Sequence, residues 1–403
     1  MTLPRALRGT LAAAVLLVGA FVLALPYADA LAFIVRAAGM RGSAGTFAAW
    51  RAVPITRGPR LEVPTRHGPV EGRLYRPVGR IRRAVTLVPG VHRDGIDESR
   101  LVGMAEDLAE AGFAVLTVAP PGLRRYAIEP ESTDVIEDAA RWLADQPALA
   151  RDGRVGLLGI SFSGGLSVVA AGRPSLRDRV AYVLSFGGHG DLPRVMRYLC
   201  AGDAPAMPDL SEARDYVTGA EHVEIHPPHD YGVAVVLLNV ADRVVPPEQV
   251  VQLRTGILTF LRASSLTLVD PVGAERTFAE ARAWAATLPE PAKTYLTWVN
   301  ERAVDKLGPR LLPVISGLGD GPADPALSPE RADAPAAPVF LLHGADDNVI
   351  PSVETVLLAG HLHGQTDVHA LLSTLITHAE VDRPPTASEL WTLVGFWRAL
   401  MRI

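Results

Sequence analysis

Cysteine is nearly missing from this 403-residue chain, in which Cys200 is the only one. A single thiol excludes an intrachain disulfide and any zinc site built on several cysteines. The run around it, Arg197-Tyr198-Leu199-Cys200-Ala201, carries no activating motif, so a buried structural thiol is expected there. Lysine is almost as scarce: Lys293 and Lys306 stand alone among 39 basic residues. Those are offset by 44 acids for a net charge of −5, and no basic patch dominates. Binding to a phosphate backbone needs clustered Lys and Arg, so nucleic acid is not an expected partner. No glycine-rich phosphate loop of either common type occurs, and no cofactor is implied.

What the chain does have is apolar material. Hydrophobic residues make up 48% against 21% charged, enough for a sizeable core at this length. Part of that excess sits at the N-terminus, where Gly9 to Ala28 is an unbroken uncharged run preceded by Arg5 and Arg8. At about 1.5 Å per residue its twenty residues would cover about 30 Å as a helix, the thickness of a bilayer core. Two readings stand for residues 1–40: a retained membrane anchor, or a signal peptide cut after Ala28-Asp29-Ala30. Arg36, Arg41 and Arg51 follow the run and dilute the positive-inside bias. The expectation is a single N-terminal span with the remainder extracytoplasmic.

Beyond the run, Arg60 to Pro77 reads as two short strands around His67-Gly68. Apolar strands then alternate with amphipathic helices. Ala84–Val88, Phe113–Val118, Val155–Ile160 and Val180–Phe186 are the strands; Glu98–Ala111, Ser132–Leu143 and Phe162–Ala171 are the helices. Such alternation predicts a mostly parallel, doubly wound sheet covered on both faces. From about Leu192 to Pro338 the pattern turns helical and proline-interrupted, ending in a Gly/Pro/Ala/Asp-rich stretch, Gly317 to Pro338, that reads as a linker. The sheet pattern resumes with Val339–Leu342, helix Ser352–His361, strand Val368–Ile376 and helix Ser388–Met401. The organisation is therefore one α/β core, 60–192 and 338–403, interrupted by an inserted helical lid with its linker, 193–337.

The chemistry centres on Gly159-Ile160-Ser161-Phe162-Ser163-Gly164-Gly165, between a strand and a helix. A serine on such a turn presents its hydroxyl at the sheet edge, and the positions two before and two after must be small. In this the chain resembles the α/β-hydrolase superfamily, esterases and dienelactone hydrolases among them, with Ser163 standing where the second glycine of Gly-x-Ser-x-Gly usually lies. Registering the motif on Ser163 would put the nucleophile two residues into the helix, so Ser161 is preferred. The resemblance implies an α/β-hydrolase fold with a helical lid and a Ser-His-Asp triad. His343-Gly344-Ala345-Asp346-Asp347-Asn348-Val349-Ile350-Pro351 looks like the family's acid loop. Its register selects Asp347, with Asp346 as competitor. The implied base is His378, after the last strand, and the oxyanion amides are Phe162 and Val91, with His92 beside them.

Other candidates are weaker. Val233–Asn239 followed by Asp242 imitates an acid loop but lacks the glycine turn, and a helix is the simpler reading. Asp191, after the strand ending at Phe186, could supply the acid in related folds. His222, His226 and His229, with Glu224 and Asp230, invite a metal reading, as do His361 and His363; neither group matches a zinc motif. The function these features imply is a serine hydrolase acting on an ester or lipid-like acyl group. A serine peptidase or acyltransferase shares the same machinery, and a non-catalytic hydrolase-like binding protein is the remaining class. Oligomeric state is not legible.

Overall fold

The computed structural model describes residues 22–201, 207–267, 269–316, 324–376 and 386–403. Strands β3 (Ala84–Val88), β4 (Ala114–Val118), β5 (Val155–Ile160) and β6 (Val180–Phe186) are apolar along almost their whole length. Strands of that kind have no face to give to water, so they pair in parallel at the centre of a covered sheet. They are flanked by β1 (Ile55–Val63) and β2 (Val70–Pro77) on one side. On the other lie β8 (Val339–Gly344), β9 (Val368–Ser373) and the two-residue β7 (Val217–Thr218). The order is β1-β2-β4-β3-β5-β6-β8-β9-β7. Only the β1–β2 and β2–β4 pairings are antiparallel. This mostly parallel nine-stranded sheet fits the α/β-hydrolase fold that the sequence implies.

Helices α1 (Gly42–Arg51), α2 (Ser99–Glu110), α3 (Pro130–Ala144) and α4 (Phe162–Gly172) follow in the first half. One sheet face is sealed by α2, by the helical segment 22–37 and by the C-terminal helix. These pack Leu101, Phe33 and Trp397 against Val85, Leu158 and Phe340. The opposite face is sealed by α3, α4 and the insertion.

Besides β7, the described part of the insertion carries α5 (Leu192–Leu199), α6 (Asp230–Val244), α7 (Pro247–Leu266), α8 (Pro271–Thr287), α9 (Ala292–Asn300) and α10 (Val304–Ser316). The chain then re-enters the sheet at β8, passes through α11 (Val353–Leu362) to β9 and ends in α12 (Ala387–Met401). The segment Val233–Asn239, which imitates an acid loop but reads more simply as a helix, is the interior of α6, and Asp242 lies on its surface, 2.9 Å from Arg254.

Four details differ from the sequence reading. Strand β1 begins at Ile55, because Gly58-Pro59 is absorbed as an irregularity between Arg57 and Arg60 rather than breaking the strand. Strand β9 stops at Ser373, where its last partner, Gly344, ends β8; Leu375 and Ile376 have no ladder to join. Residues 324–338, expected as linker, are packed: Leu327 and Ser328 are buried, and two short turns there dock on the core. For the N-terminal run, 9–21 lie outside the described residues, while 22–28 open the helix 22–37. Among the described residues no helix is long and apolar enough to cross a membrane.

Candidate active site

The parallel strands all point their C-terminal ends at one edge, where the candidate residues Ser161, Phe162, Val91 and Asp347 lie. Ser161 follows β5 directly and has φ 58°, ψ −133°, on the side of backbone space that favours glycine. Holding a non-glycine residue there costs on the order of 1–3 kcal/mol, which the surroundings must offset. The Ser161 N–H donates to the Phe186 carbonyl at 2.7 Å, and the Gly164 N–H donates to the Ser161 carbonyl at 2.8 Å. Gly159 is obligatory for this turn, since a Cβ there would sit 2.1 Å from the Ser163 carbonyl oxygen.

Ser163 has a structural role that its position alone did not disclose. Its hydroxyl is fully buried, accepts from the Ile160 N–H at 2.8 Å and lies 2.9 Å from the Val88 carbonyl. It thus ties the ends of β5 and β3 together at the foot of the turn. A hydroxyl so enclosed is unavailable to a substrate, which favours the Ser161 register. The Ser161 hydroxyl, by contrast, has no hydrogen-bond partner among the described residues.

The loop after β3 lies against Ser161: a Cβ on Gly90 would be 3.1 Å from the Ser161 Cβ. The next residue, Val91, and Phe162 at the start of α4 both have amides that donate to no acceptor among the described residues. His92, on the same loop, is depressed below its usual pKa, chiefly by burial, and its Nδ1 accepts from the Asp94 N–H at 3.3 Å.

Asp347 lies in the turn after β8, and β6 bridges it to Ser161. Phe186 holds the Ser161 amide, while its neighbour Gly187, at φ 63°, is placed so that a Cβ would be 3.6 Å from Asp347 Oδ2. Asp347 is 3% exposed, and its Oδ1 accepts the N–H groups of Val349 and Ile350 at 2.8 and 3.1 Å. Asp346 points to solvent. Asp191 is engaged elsewhere, capping α5 through the Arg194 N–H and pairing with Arg331 at 2.7 Å. His378 lies outside the described residues.

The insertion covers this edge. The His229 N–H donates to the Asn348 carbonyl at 2.7 Å, joining the start of α6 to the loop after β8. Tyr198 of α5 and Tyr231 of α6 are both shifted upward, by burial first and by the Asp347 charge second. Asn239 reaches Tyr126 on the core, donating to its carbonyl at 2.8 Å.

Several residues that shape the site were not singled out from the sequence. Fully buried His343 stands beside Asp347, its Nε2 3.3 Å from Asp347 Oδ2 and 2.9 Å from the Ile350 carbonyl. Its place in the His343-Gly344 turn was visible, but nothing in a sequence separates a buried histidine from an exposed one. Glu354 and Arg194 form a second unread element. The Glu354 carboxylate, inaccessible to solvent, meets Arg194 Nε at 2.6 Å and accepts the Gly190 and Asp191 N–H groups at 2.9 and 3.1 Å. Burial raises the Glu354 pKa against the lowering pull of Arg194, which also binds Glu330 at 2.6 Å. The cluster pins the loop after β6, the start of α5 and α11 to one another.

Elsewhere, burial lifts the Cys200 thiol to about 12, leaving it inert at neutral pH. His222, His226 and His229 are half-exposed, each near its own acid. His363 stacks on Tyr216 and His361 is exposed on α11. No group of three or more ligating side chains among the described residues could hold a metal ion.

No family model matches the chain, and no curated protein matches it. Solved structures do resemble it at low identity. An esterase of Pyrobaculum calidifontis is 17% identical over 88% of this chain and 87% of that one, with a TM-score of 0.44. An acylaminoacyl peptidase of Pyrococcus horikoshii is 11% identical over 90% of this chain, TM-score 0.45, and the match spans 43% of the peptidase. A puromycin-hydrolyzing peptidase of Mycobacterium tuberculosis is 14% identical over 85% of this chain and 38% of that one, TM-score 0.42.

Proposed function

We propose that the chain is a serine hydrolase that cleaves a carboxylic ester through an acyl-enzyme. The observation that carries this is the strained Ser161 turn, whose hydroxyl, like the amides of Phe162 and Val91, has no hydrogen-bond partner among the described residues. A backbone does not accept a positive φ at serine without a reason, and such strain clusters at functional sites.

In this reading the Ser161 hydroxyl attacks the ester carbonyl carbon while His378 takes its proton. The carbonyl oxygen, now negative, accepts from the Phe162 and Val91 amides. As the tetrahedral species collapses, the proton passes to the departing alcohol and the acyl group stays on Ser161. Water then repeats the sequence with the acyl-enzyme as electrophile, releasing the acid and restoring the serine. Asp347, oriented by the Val349 and Ile350 amides, holds the imidazole in its working tautomer. The insertion, docked on the acid loop through His229, selects the substrate.

Rates on a panel of p-nitrophenyl esters and aminoacyl anilides test the proposal. Ester turnover that disappears in Ser161→Ala is expected; turnover confined to the anilides would make the protein a peptidase. Turnover that survives intact in Ser161→Ala would end the proposal. We also propose that the N-terminal apolar run tethers the protein to a membrane. Fractionation with N-terminal sequencing of the mature chain tests that: a soluble product beginning after Ala30 would overturn it.

A further inference from the structure

At the edge of the sheet opposite Ser161 lies an open cavity of about 700 Å³, lined by the helical segment 22–37, α1, the approaches to β3 and β4, and the end of α12. Arg82 and Arg83 lead directly into β3 and Gly112-Phe113 into β4, so this is where the parallel strands begin. Six arginines line it: Arg36, Arg51, Arg80, Arg82, Arg83 and Arg402. The lining acids are Asp29 and Glu110.

The arginines are unevenly compensated. Arg51 and Arg82 share the single carboxylate of Asp29. Arg36 meets Glu110 at 3.2 Å and Asp107 at 3.7 Å, and Arg83 meets Asp152 at 3.0 Å and donates to the Ile403 carbonyl at 2.9 Å. Arg80 and Arg402 are exposed and have no acidic partner among the described residues. Buried Nε atoms of Arg51 and Arg83 also lack a hydrogen-bond acceptor among the described residues. A protein with a net charge of −5 thus gathers a cationic surplus in one concavity.

The location identifies the anion. Asp29 is the residue immediately after the apolar run Gly9–Ala28, and Asp29, Ala32 and Arg36 present one face of the same helix to the cavity. A run that enters a bilayer core would therefore bring the cavity to the level of the headgroups. At its rim Trp50 is 75% exposed, with the Arg51 guanidinium 5.8 Å from its ring centre. Exposed tryptophan beside arginine is the pairing that interfacial regions favour.

We infer that this arginine-lined cavity seats the phosphate of an anionic phospholipid, docking the start-of-strand edge on the membrane surface and turning the Ser161 edge away from it. The inference rests on the proposed tether but not on the hydrolase chemistry. Arg80 and Arg402 reach the headgroup with unpaired guanidiniums, and guanidinium forks suit phosphate oxygens.

The test uses the full chain in detergent micelles, titrated with short-chain phosphatidylglycerol or phosphatidylcholine, with retained lipid counted by native mass spectrometry. Selective retention of phosphatidylglycerol is expected, weakened at least tenfold in Arg80→Ala/Arg402→Ala. Ester turnover should be unchanged in that variant, whose side chains lie far from Ser161 and hold no partner whose loss would unfold the protein. Equal retention of both lipids, or undiminished retention by the variant, would overturn the inference. Displacement of phosphatidylglycerol by equimolar inorganic phosphate would also overturn it, marking a site for a free anion. Membrane fractionation of the same variant separates loss of the headgroup site from loss of the tether.

Discussion

Two serines two residues apart do different work at the Ser161 turn, and substitution separates them. Ser163→Ala removes the acceptor of the Ile160 amide and the tie to Val88, at a cost of about 1–3 kcal/mol. Chemical denaturation should register that loss while ester turnover per folded molecule persists. Asp347 and Asp346 divide the same way. Asp347→Asn, at the buried position held by two amides, should lower kcat severely with the fold intact; Asp346→Asn, at a solvated one, should leave kcat within about twofold. Equal effects of the two would remove Asp347 from its role. The sequence made both pairs visible and ordered them by spacing alone, since burial and hydrogen bonding belong to the folded chain.

His189 supplies a pH signature. It is fully buried against Phe162 and Gly165, its Nε2 2.8 Å from the Leu327 carbonyl, and burial depresses its pKa from 6.5 to about 4. Its charged neighbours are Asp191, Arg194 and Glu330. Between those two pH values the unfolded histidine binds a proton that the folded one refuses. Stability present above pH 6.5 is therefore lost as pH falls toward 4, by at most roughly 3 kcal/mol from this group. Thermal melts across that window should show the slope in the wild type and a flatter one in His189→Gln, which keeps a donor for Leu327.

At the scale of elements, the central strands and their helices were legible because apolar runs of strand length leave no other reading. Val155–Ile160 and Val180–Phe186 occupy the predicted bounds. Strand β7 was not legible: two residues carry no periodicity, and Val217–Thr218 pairs with β9 only because the insertion folds back against it. Nor was the Arg194–Glu354–Glu330 cluster, whose members are scattered along the chain and meet through tertiary packing. Arg194→Met leaves the fully buried Glu354 without its cation, and should cost about 3–5 kcal/mol. Urea denaturation checks the loss. Because the cluster anchors α11 just beyond the acid loop, ester turnover should fall in the same variant. Replacing both partners by apolar residues should restore much of the stability, since the penalty lies in the orphaned charge.

Over the whole molecule, the two ends of the sheet carry opposite assignments. One edge gathers Ser161, the unengaged amides and Asp347 under an inserted helical cap. The other gathers arginines next to the N-terminal helix. The residues of the first were singled out by the motif and its register. Those of the second were not, because Arg36, Arg51, Arg80, Arg82, Arg83 and Arg402 are dispersed in sequence and converge only when helix, strand starts and C-terminus are brought together.

The most direct test of the account is to treat the intact protein with a fluorophosphonate and map the adduct by peptide mass spectrometry. The account predicts stoichiometric phosphonylation of Ser161, none of Ser163, and no adduct in Ser161→Ala. An unlabelled wild type, or an adduct on Ser163, would contradict it.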